Sequence, residues 1–314
     1  MQDLWFSLNA TLPVFLVMVL GGVLGRIGFL PCSFCTVADQ LVFKVSLPVM
    51  LFCDMAALDL AADFDANFVL FCAAATLAGI SVLWAAARFF LPDRTLVGEF
   101  VQAGYRSSAA ILGVAFIQNI YGSSGMAPQM ILGSVPLFNI FAVVVLTVEN
   151  PTRTGKLHPC ALLRGVVTNP ILVGIALGTL YSLLPWELPA MAQKTLGTLS
   201  ALATPLALLS IGASFEGPKV IRKAGPTLAA ALCKLVGLAA VFVPLAVWLG
   251  FRDEQLMALL IMLGSPTTPT SYNMAKHMGH EGTLSAGVIA ATTLLSAVTL
   301  TAWIFVLRSG GYLR

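Results

Sequence analysis

The sequence predicts an all-α integral membrane protein of ten transmembrane helices, laid out as two inverted five-helix repeats. Three observations predict it. Hydrophobic residues make up 58% of the 314 residues and charged residues only 10%, whereas a soluble domain carries roughly 25% charged residues. Mean hydropathy is +0.92, so the chain cannot cover a water-facing surface. Ten segments are apolar over the ~20 residues that a bilayer core demands: about 7–27, 38–57, 68–91, 98–121, 127–148, 161–183, 193–213, 226–250, 255–278 and 283–307. Finally, a shift of 157 positions carries Pro13, Gly21 and Pro48 onto Pro170, Gly178 and Pro205. The same shift carries Gly122 and Gly125 onto Gly279 and Gly282. Because 157 is half of 314, the chain reads as two copies of one unit, 1–157 and 158–314. Each copy holds an odd number of helices, so the second enters the membrane from the opposite side.

Taken in order, helix one follows Asp3 and has no basic residue before Arg26. It lacks the basic flank of a cleaved signal peptide and reads as a retained helix. The loops after helices one, three, five, seven and nine, with their adjoining helix ends, carry eleven Lys and Arg; the other side carries four. The positive-inside rule then places both termini outside the cytoplasm, in a multi-pass protein of the inner cell membrane. Asp59, Asp63 and Asp65 after helix two agree with this, and Asn150 to Lys156 forms a polar cytoplasmic linker between the copies. Pro13, Pro48, Pro170 and Pro205 recur as a scaffold hinge feature that needs no ligand. Asn169 reads as bonding the backbone that Pro170 frees inside helix six.

The net charge of +3 sits in loops and at helix ends, and needs no nucleic acid to explain it. Cys32 and Cys35 form a CxxC with no second pair and no nearby His, which reads as two small loop residues. Cys53, Cys72 and Cys233 lie in apolar segments as small hydrophobes. No HExxH, GxSxG, phosphate loop or acid pair is present, so the chain does not read as an enzyme, and neither metal nor cofactor is expected. The stretch His277-Met278-Gly279-His280-Glu281 matches no zinc-protease order.

Chemistry concentrates on helices four and nine. Helix nine contains Ser265, Pro266, Thr267, Thr268, Pro269, Thr270, Ser271, Tyr272 and Asn273 in succession. Two prolines remove two backbone donors and clash with the preceding turn. The surrounding hydroxyls can satisfy the freed groups, and a broken helix is tolerated in lipid only against protein or a water-filled cavity. A kink without a ligand is the simpler alternative. The repeat sets this stretch against helix four, where Gly104, Ser107, Ser108 and Gly113 weaken the helix without any proline. If both helices break near the midplane, the positive dipole ends of their second halves favour an anion. Arg106 lies about eight residues into helix four, ~12 Å deep, with no obvious carboxylate partner. An anionic ligand could supply the counter-charge; alternatively Arg106 pairs with Glu99 or helix-end carbonyls. Lys234 lies equally deep on helix eight, or reaches the headgroups. Asn139 on helix five and Ser296 on helix ten are equivalent under the repeat, and suit either a site or an interhelical hydrogen bond.

These motifs resemble the auxin efflux carrier family of permeases, within the superfamily that includes bile acid–sodium symporters. The resemblance rests on Leu12-Pro13 with Gly21, Ser46-Leu47-Pro48 with Leu51-Phe52, Asn169-Pro170 with Gly174 and Gly178, Pro205 to Gly212, and Thr293 to Ser296. On helix four, Arg106, Ser107 and Gly113 match the family pattern, but Ser108 and Ala115 stand where Asn and Pro are usual. The resemblance implies a scaffold of helices one, two, six and seven, often dimeric. It also implies a mobile transport domain of helices three to five and eight to ten, with helices four and nine crossing at their breaks. The expected function is secondary active transport of a small organic anion, a mono- or dicarboxylate, by alternating access. A sodium-coupled symporter of the bile-acid type and a non-transporting receptor or channel are the alternatives. The coupling ion stays open, since no core carboxylate is evident as a proton carrier.

Overall fold

The computed structural model describes residues 2–57, 65–109, 117, 126–151, 167–184, 188–215 and 222–313, with the side chains of 2–12 and 14 excepted. Helices are the only regular structure among the described residues. They are α1 (Gln2–Arg26), α2 (Cys32–Ala56), α3 (Ala66–Phe90), α4 (Val97–Tyr105), α5 (Ala127–Val148), α6 (Pro170–Ser182), α7 (Ala190–Ala213), α8 (Ala224–Trp248), α9a (Asp253–Gly264), α9b (Thr270–His277) and α10 (Thr283–Ser309). Six of these, α2, α3, α5, α7, α8 and α10, are long and apolar enough to cross a membrane. The surface departs from that of a soluble protein. Leu16, Leu20, Leu70, Val82, Phe305 and Val298 face outward, while Asn139, Lys234, Ser134, Ser265 and Ser296 are buried within a largely apolar core. A large exposed apolar surface with polar groups kept inside is what a lipid solvent selects.

Helix starts follow from local chemistry. The Asp65 side chain accepts from the Asn67 and Phe68 amides and begins α3. Glu99 reaches from α4 to accept from the amides of Gly282 and Ser285, 2.8 and 2.9 Å away, and so caps the start of α10. Gly282 holds a φ of +80°, and a Cβ there would press on the Tyr272 ring.

The most extensive helix pairings are α1 with α7 and α2 with α6. Both depend on glycine. Gly21 of α1 lies directly on the backbone of Leu209, and Gly178 of α6 lies directly on the backbone of Phe52. The 157-residue shift carries Gly21 onto Gly178 and Phe52 onto Leu209, so the two contacts are images of each other with the partners exchanged. Around these four helices, α3 packs on α5 and α4, while α8 packs on α10 and α9a. Every residue of α9a from Leu256 to Gly264 is buried, as expected for a helix surrounded by others.

Several sequence expectations change. The second helix starts at Cys32, not near 38, because Pro31 supplies an extended N-cap (φ −70°, ψ 159°) and the polar first turns still pack. Cys32 and Cys35 therefore sit in a helical first turn rather than a loop, as free thiols, one exposed and one buried. Asn169 bonds the backbone beside Pro170 as an N-cap of α6: its Oδ1 accepts from the Ile171 amide at 3.0 Å, and Pro170 is the first residue of α6, where a missing N–H costs nothing. Pro13 lies within an uninterrupted α1. Pro48 follows a π-helical turn at Val42–Ser46, and Pro205 follows an interruption at Leu202 in α7. Gly104 is an ordinary helical residue of α4, not a break. Gly113, Gly122, Gly125 and the linker residues 152–156 lie outside the described residues.

Candidate functional site: a crossing of two broken helices

Helix four ends at Tyr105 although no proline is near. Arg106 turns extended (φ −69°, ψ 130°), and Ser107 and Ser108 continue without helix. Helix nine ends at Gly264, where Ser265 is also extended (φ −75°, ψ 160°), and restarts at Thr270 after Pro266 and Pro269. The two extended stretches bond to each other. The Ser108 amide donates to the Pro266 carbonyl at 3.0 Å. The hydroxyls of Ser107 and Ser265 meet at 2.5 Å. Thr267 Oγ1 donates to the Ala103 carbonyl at 2.7 Å, and the Thr267 amide donates to Thr292 Oγ1 at 3.1 Å. Each break thus answers backbone groups that the other leaves open, as a dry membrane interior demands.

Two further carbonyls at the end of α9a are met by a cation. Lys234, fully buried on α8, donates from Nζ to the carbonyls of Met262 (3.2 Å) and Leu263 (2.7 Å). It neither reaches headgroups nor lines the cavity described below. It holds the negative dipole end of α9a. Lys234→Ala removes these donors and opens a void, so thermal unfolding in detergent should show a loss on the order of 3 kcal/mol. A melting temperature equal to the parent's would show that water replaces the ammonium.

Arg106 is buried as well. Its Nη2 donates to Asn139 Oδ1 at 2.6 Å, and its Nη1 faces Met274 Sδ at 3.0 Å. Asn139 Nδ2 is anchored on the Val135 carbonyl. Glu99, the sequence-level alternative partner, is committed to the start of α10. Among the described residues, Arg106 has neutral partners only. It lines a cavity of about 40 Å³ together with Ser107, Ser108, Asn139, Thr268 and Thr270, and with Met50, Leu51 and Asp54 of α2. The N-terminus of α9b borders the same cavity, with the Thr270 amide donating to Thr268 Oγ1 at 3.4 Å. A guanidinium, a helix N-terminus and four hydroxyl residues around one space make an anion-accepting environment.

Of the residues expected to bind a ligand, Arg106, Ser107, Ser108, Asn139, Thr268 and Thr270 therefore share one cavity. Ser265 and Thr267 brace the crossing instead. Ser271 donates to the Thr268 carbonyl at 2.9 Å. Asn273 is buried outside the cavity lining, and its two side-chain polar atoms have no partner among the described residues. His277 stacks on Phe43, His280 Nε2 lies 2.9 Å from the Leu146 carbonyl, and Glu281 pairs with Lys223. Asp54 was missed by sequence reasoning because it lies near the end of its span. The signal was present, since Met50, Leu51 and Asp54 are spaced to share a helix face. A second, larger cavity of about 290 Å³ is lined by Cys35, Asp39, Ser214, Tyr272, Lys276 and Glu281, among others. Asp39 and Asp54 are ~22 Å apart along α2, so the two cavities lie at opposite ends of that helix, with α9b residues lining both.

An all-helical chain with apolar spans and a polar crossing of interrupted helices is a multi-pass membrane protein. A family model described as a membrane transport protein matches residues 6–304, and the chain belongs to that family, the auxin efflux carriers of the resemblance above. It is therefore a membrane transporter. No curated protein matches the chain.

Proposed function

We propose that the protein is a secondary active transporter that carries a small organic anion, a mono- or dicarboxylate, by alternating access. The observation that carries this reading is Arg106, a buried cation whose hydrogen-bond partners among the described residues are neutral, facing a cavity at the crossing of two broken helices. A buried charge of this kind is costly, and an anionic ligand offsets the cost. One water needs about 10–15 Å³ of such cavity space, so a 40 Å³ cavity takes a few waters and is tight for an organic acid. The α2 wall must draw away from α4 and α9b for one to enter. The exchanged contacts of Gly21 and Gly178 support an inverted duplication, 1–157 and 158–314, in which α1, α2, α6 and α7 form the scaffold. Helices α3 to α5 and α8 to α10 then move against it. The basic bias of the loops supports a cytoplasmic position for the larger cavity and extracytoplasmic termini, in the inner membrane. The scaffold is also the surface assigned to a homodimer, on the resemblance.

Counterflow tests the reading. Proteoliposomes preloaded with malate or malonate should take up the labelled compound faster than empty ones. A channel or a receptor shows no such trans-stimulation, and a panel of mono- and dicarboxylates without any counterflow would refute the organic-anion assignment. A sodium requirement in the same assay would move the protein to the bile-acid type of symporter.

A further inference from the structure

We propose that Asp54 is the proton-carrying group of this transporter, taking up a proton when the anion binds and releasing it when the anion leaves. The inference rests on the organic-anion reading and adds its coupling ion. Asp54 lines the same cavity as Arg106, but from α2 rather than from the α4–α9 crossing. Its Oδ2 is buried and has no hydrogen-bond partner among the described residues. The other buried acids differ in this respect or in place: Glu99 accepts two amides, and Asp39 lines the distant cavity.

Electrostatics then fix the sense of coupling. An anion seated at Arg106 and the α9b N-terminus faces the Asp54 carboxylate across a small, water-poor cavity. Two negative groups in such a space repel, and protonation of one relieves the repulsion. The relief is reciprocal: anion binding raises the proton affinity of Asp54, and a proton on Asp54 raises anion affinity by the same factor. With the anion absent, ionised Asp54 instead shares the cavity with the Arg106 cation. Among the described residues, the titratable and charged groups around Asp54 are Arg106 across the cavity, Cys53 beside it on α2, and Tyr181 of α6 and Lys194 of α7 on the helices packed against this half of α2. None of these is a second acid that could take over the role.

The step balances as one proton per turnover: the carboxylate gains H⁺ from the water of the open side as the anion enters, and loses it to the other side as the anion departs. At pH values where free Asp54 is ionised, apparent anion affinity should rise about tenfold for each unit the pH falls. The test uses proteoliposomes carrying the full-length protein, labelled malonate or malate, and an internal pH dye. The parent protein should accumulate the anion when the outside is acidic, with acidification of the lumen. Asp54→Asn, which carries no titratable proton, should still bind malonate as read by thermal shift, which also shows that it is folded, while losing both the pH-driven accumulation and the pH dependence of affinity. Asp54→Glu should restore them. Net anion accumulation without lumen acidification in the parent, or coupling that persists in Asp54→Asn, would overturn the proposal. Loss of counterflow in Asp54→Asn with full function in Asp54→Glu supports it only if the Asn variant still binds malonate without pH dependence, as read by thermal shift; a pH dependence retained there counts against it. Absence of counterflow in the parent with every carboxylate would strike the underlying organic-anion reading instead.

Discussion

Arg106→Ala should abolish carboxylate counterflow while leaving a folded, membrane-inserted protein. The guanidinium faces the cavity and its neighbours, Asn139 and Met274, are neutral. Removing it leaves Asn139 Oδ1 still accessible to the cavity, and Asp54 across the cavity can take up a proton once its cation is gone, so the fold has little reason to fail. The anion, by contrast, loses its one cationic contact among the described residues. Truncating one partner of a buried, hydrogen-bonded charge pair costs about 2–5 kcal/mol, and each ~1.4 kcal/mol is tenfold. Uptake per reconstituted molecule should therefore fall at least about thirtyfold. Arg106→Lys keeps the charge but loses the planar fork that reaches Asn139 and the anion together, and should recover only part of the rate. Uptake kinetics unchanged in the Ala variant would remove Arg106 from the mechanism.

Gly212→Ala has the largest expected effect on stability. A Cβ on Gly212 would overlap the Met18 carbonyl oxygen and approach the Gly22 amide nitrogen of α1. These are backbone atoms of a helix and cannot rotate away, so α1 and α7 must separate along their longest shared contact. Overpacking of this kind costs about 1–3 kcal/mol where side chains can adjust, and should reach the upper end here. Gly197→Ala on the same helix and Gly225→Ala on α8 meet no atom within 4 Å. Both should be neutral or slightly stabilising, because alanine is the better helix former. Melting temperatures of the three variants in one detergent would decide the matter; equal values would mean that the α1–α7 contact is looser than the structure places it.

Much of this layout was legible from residue spacing. Apolar runs longer than a bilayer core matched the six described helices that are long and apolar enough to cross a membrane. The hydroxyl-rich, twice-prolined stretch from Ser265 to Asn273 marked the break in helix nine, because proline acts locally and its effect can be read without knowing the neighbours. The break in helix four was harder to read. No residue at Arg106 to Ser108 forbids a helix, and the turn is held by bonds to Pro266, Ser265 and Thr267 from elsewhere in the chain. The start of α2 was misplaced for a related reason. Ser33, Thr36 and Asp39 lower the local hydropathy, yet the helix still forms there, with Cys35, Ala38 and Asp39 turned into the protein. Which polar side chains face a ligand and which brace the crossing was likewise not readable. Ser265 and Thr268 are alike in sequence terms, and only the packing tells a brace from a lining residue. Lys234 shows the same limit, since its two carbonyl partners exist only once helix nine has broken.

The reciprocal bonding of the two breaks also bears on how the protein is made. Ser107 and Ser265 are 158 residues apart, and ribosomes add about 5–20 residues per second. The broken fourth helix therefore leaves the ribosome roughly ten to thirty seconds before the strand that satisfies it exists. During that interval its open carbonyls, with the Arg106 guanidinium beside them, need water or the insertion machinery as a temporary partner. Lateral release into lipid before the ninth helix arrives would strand them, so the last third of the chain controls when the first third can settle.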